Sequence, residues 1–149
     1  MKNYTTWLKA AAIVQFIFAA IHVTTLFIVP IPGNETEKQL FTLMDTYHFD
    51  FGAGFHRTMN ELTLVFSASL CLLYAFGSII NWYLLQKKAD TEIMKGIITI
   101  SLIIFGILFG IIVKFAFLLP IIFSGLVFVF LILSRLTIRK IQQPYTQFQ

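Results

Sequence analysis

Uncharged residues run along this chain in four long blocks, divided by short stretches that hold nearly all the charge. Between Lys9 and Glu35 lie 25 residues without a formal charge, between Glu61 and Lys87 another 25, between Lys95 and Lys114 eighteen, and between Lys114 and Arg135 twenty. A charged side chain at the centre of a bilayer costs about 2.5–3.5 kcal/mol, so the uncharged intervals mark what hydrocarbon accepts. Each block approaches or exceeds the roughly 20 residues that a helical span needs. The third is the shortest, about 27 Å at a rise of about 1.5 Å per residue, and Lys114 lengthens it by snorkelling outward. The pattern predicts an all-α integral membrane four-helix bundle, one transmembrane domain over residues 1–149, with spans near 8–29, 57–86, 94–114 and 118–138. The first block is too long for the 7–15-residue core of a signal peptide, and no small-x-small site closes it before Pro30.

Only the connection at 30–56 is long enough to have structure of its own. Pro30, Pro32 and Gly33 end the first helix, since proline lacks a donor and glycine relieves the turn. From Glu35 to Tyr47 the residues Leu40, Phe41, Leu43, Met44 and Tyr47 recur near helical spacing, which predicts a short amphipathic helix on the outer face. His48 to Phe55, reading HFDFGAGF, is expected as a Gly- and Phe-rich turn leading into the second span. Pro120 fits the first turn of the fourth helix, where its missing N–H costs nothing.

Composition reinforces the membrane reading: 58% of residues are hydrophobic, 12% are charged, and seventeen are Phe. A net charge of +4 could suggest nucleic acid, but the basic residues sit at helix ends rather than in an aromatic-interleaved patch, so no nucleic-acid partner is expected. They act instead as topology signals. Eight of them (Lys2, Lys9, Lys87, Lys88, Lys95, Arg135, Arg139 and Lys140) fall on one side of the four spans and three (Lys38, Arg57 and Lys114) on the other. Basic flanks are retained in the cytoplasm, which predicts both termini inside. Tyr4, Trp7, Trp82 and Tyr83 then share the inner interface, where an aromatic belt belongs. Cys71, the single cysteine, has no partner for a disulfide and reads as a buried, inert thiol.

Helices in lipid associate through small residues and hydrogen bonds, because lipid tails are as apolar as leucine. Gly106 and Gly110 form a GxxxG step in the third span, and Ala68, Cys71, Ala75 and Ser78 a small-residue stripe in the second. Both features serve packing within the chain or homodimerisation.

Ionisable groups inside hydrocarbon should face the bundle interior and be paired. His22 lies fifteen residues beyond Trp7, in the outer third of the bilayer. Arg57 and Glu61, four apart, share a helix face near the outer boundary, and Lys114 closes the third span at that level. His22, Arg57, Asn60, Glu61 and Lys114 thus form a candidate cluster at the outer end, with His48, Asp50 and His56 supplied by the loop. One reading is a pocket for a small amphiphilic ligand or lipid; the other is purely structural, an interfacial ion pair and an interhelical histidine tie. Imidazoles and carboxylates also invite zinc or iron. The chain has no HxxxH on one helix, no HExxH and no Glu-x-x-His pair, and bis-histidine haem needs two core histidines where only His22 is available. No cofactor is therefore expected, with metal or haem kept as the alternative.

The stretch M-x-x-Y-x-F-x-x-G from Met44, Arg57-Thr58 after Gly54, and an Asn-Glu pair opening a long second span resemble an uncharacterised family of small four-span bacterial membrane proteins. His22, Trp82, Phe115, Phe117 and Pro120 fit the same layout, while Asn60-Glu61-Leu62 replaces the Asp-aromatic pair expected there. The resemblance implies a multi-pass protein of the bacterial cytoplasmic membrane and transfers no catalytic residue. The functional expectation is a membrane protein that binds a lipid or small ligand at its outer end. Its rivals are a small membrane enzyme using His22 and Glu61 with a metal at His48 and His56, and an accessory subunit, homodimer or scaffold of a membrane complex.

Overall fold

A computed structural model describes residues 4–141, with side chains to residue 138, so Lys2, Arg139 and Lys140 lie outside the residues whose side chains are described. Among the described residues the chain is mostly helical: α1 (Tyr4–Thr25), α2 (Glu35–Thr46), β1 (His48–Asp50), β2 (His56–Thr58), α3 (Met59–Gln86), α4 (Thr91–Phe115) and α5 (Leu118–Ile141). Four of these, α1, α3, α4 and α5 over Leu118–Ile138, are long and apolar enough to cross a membrane. Only 17–33% of their apolar windows is buried within the protein. Phe66, Leu72, Phe76 and Ile107 are each more than 60% exposed. A water-soluble domain hides such residues, and an apolar surface this extensive requires an apolar solvent.

The helices divide into two compact units, one taking the chain up to Phe18 and from Tyr74 onward, the other Ala19–Leu73. In the first unit α4 and α5 are the closest helix pair. The reason is glycine opposite phenylalanine in both directions. A Cβ on Gly106 would stand 2.9 Å from the Phe128 ring, and one on Gly125 would stand 3.3 Å from Phe109. The two rings stack with centroids 5.6 Å apart. In the same antiparallel register Arg135 Nε donates to Thr99 Oγ1 at 2.8 Å. Gly110, the other half of the GxxxG step, has nothing within 4 Å of its would-be Cβ. The step is thus divided, Gly106 packing within the chain and Gly110 opening outward.

The part of α1 up to Phe18 meets α5 through Trp7 and Phe130, whose rings lie 5.9 Å apart, and through Ser134 Oγ, which donates to the Tyr4 carbonyl at 3.1 Å. It meets α3 through Ser78 Oγ, which donates to the Ala12 carbonyl at 2.8 Å, and through an edge contact of Phe18 on Tyr74 at 4.6 Å. Tyr74 also touches Phe105 of α4, at 5.2 Å. Gly77, one turn on, makes room for Gln15 and Phe105 together, its would-be Cβ only 2.8 Å and 3.0 Å from their nearest side-chain atoms.

The second unit is built on local capping. Asn34 caps α2, its Oδ1 accepting from Glu37 N at 2.9 Å while Glu37 Oε2 reaches back to Gly33 N at 2.6 Å. α1 ends at Thr25, short of the expected 29, where the Thr24 and Thr25 hydroxyls bond back to the Ile21 and His22 carbonyls at 2.6 Å. The expected turn at 48–55 contains more order than a turn: β1 and β2 pair antiparallel, His48 facing Thr58 and Asp50 facing His56. Gly52, Ala53 and Gly54 reverse the chain with φ of 78°, 50° and 82°. Two of these three left-handed positions are glycines, which adopt that region without a Cβ penalty.

Candidate functional site

Arg57, Asn60 and Glu61 sit where β2 hands over to α3, and local hydrogen bonding explains two of the three. The Thr58 backbone N–H donates to Glu61 Oε2 at 2.9 Å while the Glu61 N–H donates to Thr58 Oγ1 at 3.2 Å. This reciprocal capping box satisfies orphan donors at the start of a helix. Asn60 Nδ2 donates to Asp45 Oδ1 across the unit, tying the end of α2 to the start of α3. An acidic residue in the last turn of a helix opposes the dipole and calls for a partner, which is the signal Asp45 gives in the sequence. Arg57 Nη1 lies 3.8 Å from Glu61 Oε1, a loose pair with both side chains about half exposed. Such pairs contribute little to stability, about 0–1 kcal/mol.

Because Glu61 caps α3, Glu61→Ala should destabilise the α2–α3 connection by about 1 kcal/mol, whereas Glu61→Gln, which keeps the accepting oxygen, should cost much less. Hydrogen exchange at residues 58–62 would report it. A role confined to ligand chemistry would leave that exchange unchanged in both variants.

The loop candidates share one face of the hairpin, since His48, Asp50 and His56 occupy alternating or directly paired positions. The polar atoms of His48 and Asp50 turn to local tasks. His48 Nδ1 lies 2.9 Å from the Thr46 carbonyl, and Asp50 Oδ1 accepts from Gly52 N at 2.8 Å. Among the described residues no three His, Cys, Asp or Glu side chains gather closely enough to hold a metal. His22 lies in the last turn of α1 and is half-buried. Lys114 belongs to the first unit, exposed at the end of α4 with its ammonium 5.0 Å from the Phe115 ring. Of the five, Arg57 and Glu61 are joined by the loose ion pair, and Asn60 bonds instead to Asp45.

Two features of the first unit escaped sequence reasoning. Gln15 and Asn81, at 0% and 1% exposure, form a buried amide pair in which Asn81 Nδ2 donates to Gln15 Oε1 at 3.2 Å. Gln15 Nε2 and Asn81 Oδ1 are left without partners among the described residues. The second feature is a groove of about 510 Å³ between α1 and α3, floored by Ala12 and Ser78, walled by Ile13, Phe16 and Ile79, and ending at Trp82, Tyr83 and Gln86. Its lining is almost wholly apolar. A smaller hollow of about 400 Å³ lies beside Tyr4, Lys88, Asp90 and Thr91 and is polar. No family model matches this chain, and no curated protein or solved structure matches it either.

Proposed function

We propose that this chain is a multi-pass protein of the bacterial cytoplasmic membrane, an antiparallel four-helix bundle with both termini inside, that acts by binding a lipid or small amphiphile. The observation that carries the reading is the apolar groove between α1 and α3, open along the outside of two helices whose exposed surfaces are themselves apolar. A volume near 510 Å³ lies within the range of about 300–1,000 Å³ typical of small-ligand sites. The excess of basic residues at the predicted inner ends supports the orientation, and the likeness in layout to small four-span bacterial proteins supports the location.

Ligand binding at the outer end draws less support, because Glu61 and Asn60 already have structural partners. That commitment also weighs against Glu61 as an acid or base in a membrane enzyme. The accessory-subunit reading is favoured by a separate observation. Tyr47, Phe51 and Phe55 of the hairpin region are each 58–59% exposed, more aromatic surface than a short loop needs for itself. Native mass spectrometry of full-length protein released from mild detergent tests the proposal. Retained lipid or amphiphile mass is expected, lost on Ile79→Trp, which fills the groove. A bare protein mass, or adducts indifferent to Ile79→Trp, would contradict it.

A further inference from the structure

The groove has polarity along its length, and that polarity identifies its occupant. On α1, Ala12, Ile13 and Phe16 line it, and Lys9 lies three, four and seven residues before them on the same helical face. On α3, the lining runs Ser78, Ile79, Trp82, Tyr83, Gln86, and Lys87 follows with its ammonium 5.9 Å from the Tyr83 ring centroid. The apolar end therefore lies toward the middle of both helices, and the cationic end at their shared predicted cytoplasmic ends. The Ser78 hydroxyl, which could have made the floor polar, is used by the Ala12 carbonyl. Half-exposed Trp82 and Tyr83 bring an indole N–H and a phenol to the mouth, the usual station of these residues at headgroup level. No acidic residue lies between Glu61 and Asp90 or before Glu35, so nothing lining the groove on either helix offsets the two lysines.

We propose that the groove holds an anionic glycerophospholipid of the cytoplasmic leaflet, one acyl chain along Ile13, Phe16 and Ile79 and its phosphodiester against Lys9 and Lys87. The inference rests on the amphiphile-binding reading above and sharpens it to a lipid class and a leaflet. A lysine near a membrane surface favours an anionic headgroup roughly fivefold, so two multiply to a preference of roughly 25-fold over a zwitterionic lipid.

The test uses the full-length protein in mild detergent, incubated with phosphatidylglycerol or phosphatidylcholine of identical acyl chains and weighed by native mass spectrometry. The expected result is a phosphatidylglycerol preference that falls roughly fivefold in Lys9→Gln and in Lys87→Gln, with phosphatidylcholine retention unchanged. Ile79→Trp should reduce retention of both lipids. Equal retention of the two lipids, both displaced by Ile79→Trp, would overturn the anionic assignment while leaving amphiphile binding standing. Retention indifferent to Ile79→Trp would overturn both. Displacement of bound lipid by glycerol 3-phosphate alone would mean a phosphate site without an acyl slot, against the proposal. A dimer dispersed by Ile79→Trp would make a second copy the occupant, also against it.

Discussion

Arginine in place of Ile103 should destabilise the protein by about 3–4 kcal/mol, the difference between the two side chains at the centre of a membrane helix. Ile103 stands midway along α4 and is 58% exposed. In a soluble protein an exposed position of this kind accepts arginine within about 0.5 kcal/mol. The sign of the result therefore follows from the solvent around α4 rather than from any contact inside the protein. Ile103→Leu, which keeps the surface apolar, should be close to neutral. SDS-titrated unfolding in mixed micelles would separate the two variants, and a mild effect from arginine would mean that α4 faces water.

Gly77→Leu should be comparably damaging for the opposite reason, overpacking inside the protein. A Cβ at this position would already stand 2.8 Å from Gln15 Nε2 and 3.0 Å from Phe105 Cζ, before any further carbon is added. Those atoms belong to α1 and α4, so a leucine pushes α3 away from two neighbours at once. Overpacking of this kind costs about 1–3 kcal/mol and more where neighbours cannot give. Here the wedge also disturbs the buried Gln15–Asn81 pair, and a buried amide that loses its partner is costly. Gly110→Leu provides the contrast. Nothing lies within 4 Å of its would-be Cβ, and leucine is the better helix former, so that variant should be neutral or mildly stabilising. Loss of the folded species in size-exclusion chromatography for Gly77→Leu, with Gly110→Leu unaffected, is the expected pair of results. Equal behaviour would contradict the packing described.

The long helices were legible in the sequence because charge exclusion is a one-dimensional signal: an interval without charge is the same fact on paper and in a bilayer. The short helix α2 was legible for a related reason, its apolar residues recurring at helical spacing after an acidic first turn. Which helix faces meet was not legible. Where every side of a helix is apolar, periodicity no longer distinguishes the packed face, and only small residues hint at it. That hint was ambiguous: Gly106 meets Phe128, Gly110 meets nothing within 4 Å, and Gly77, outside any GxxxG step, fills the tightest place of the three.

The polar cluster illustrates a second limit. Glu61 stood out as an ionisable group near the membrane boundary, yet its spacing from Thr58 is also the capping-box spacing, and the latter describes its hydrogen bonds. Gln15 and Asn81 carry no charge and so leave no mark in a pattern of charged positions, although a buried amide in an apolar interior needs a partner almost as much. The sequence from His48 to Phe55 shows only a turn because the paired strands are three residues each, too short to show alternation.

Orientation in the membrane underlies the proposed bundle and the proposed lipid site, and cysteine accessibility measures it directly. In a Cys71→Ala background, Gln39→Cys places a thiol on exposed α2 and Glu92→Cys one at the exposed start of α4, the latter removing an acid that contributes little to topology. A membrane-impermeant maleimide applied to intact cells should label Gln39→Cys and reach Glu92→Cys only after the membrane is permeabilised. Labelling of Glu92→Cys in intact cells, or protection of Gln39→Cys there, would contradict a four-span protein with both termini inside.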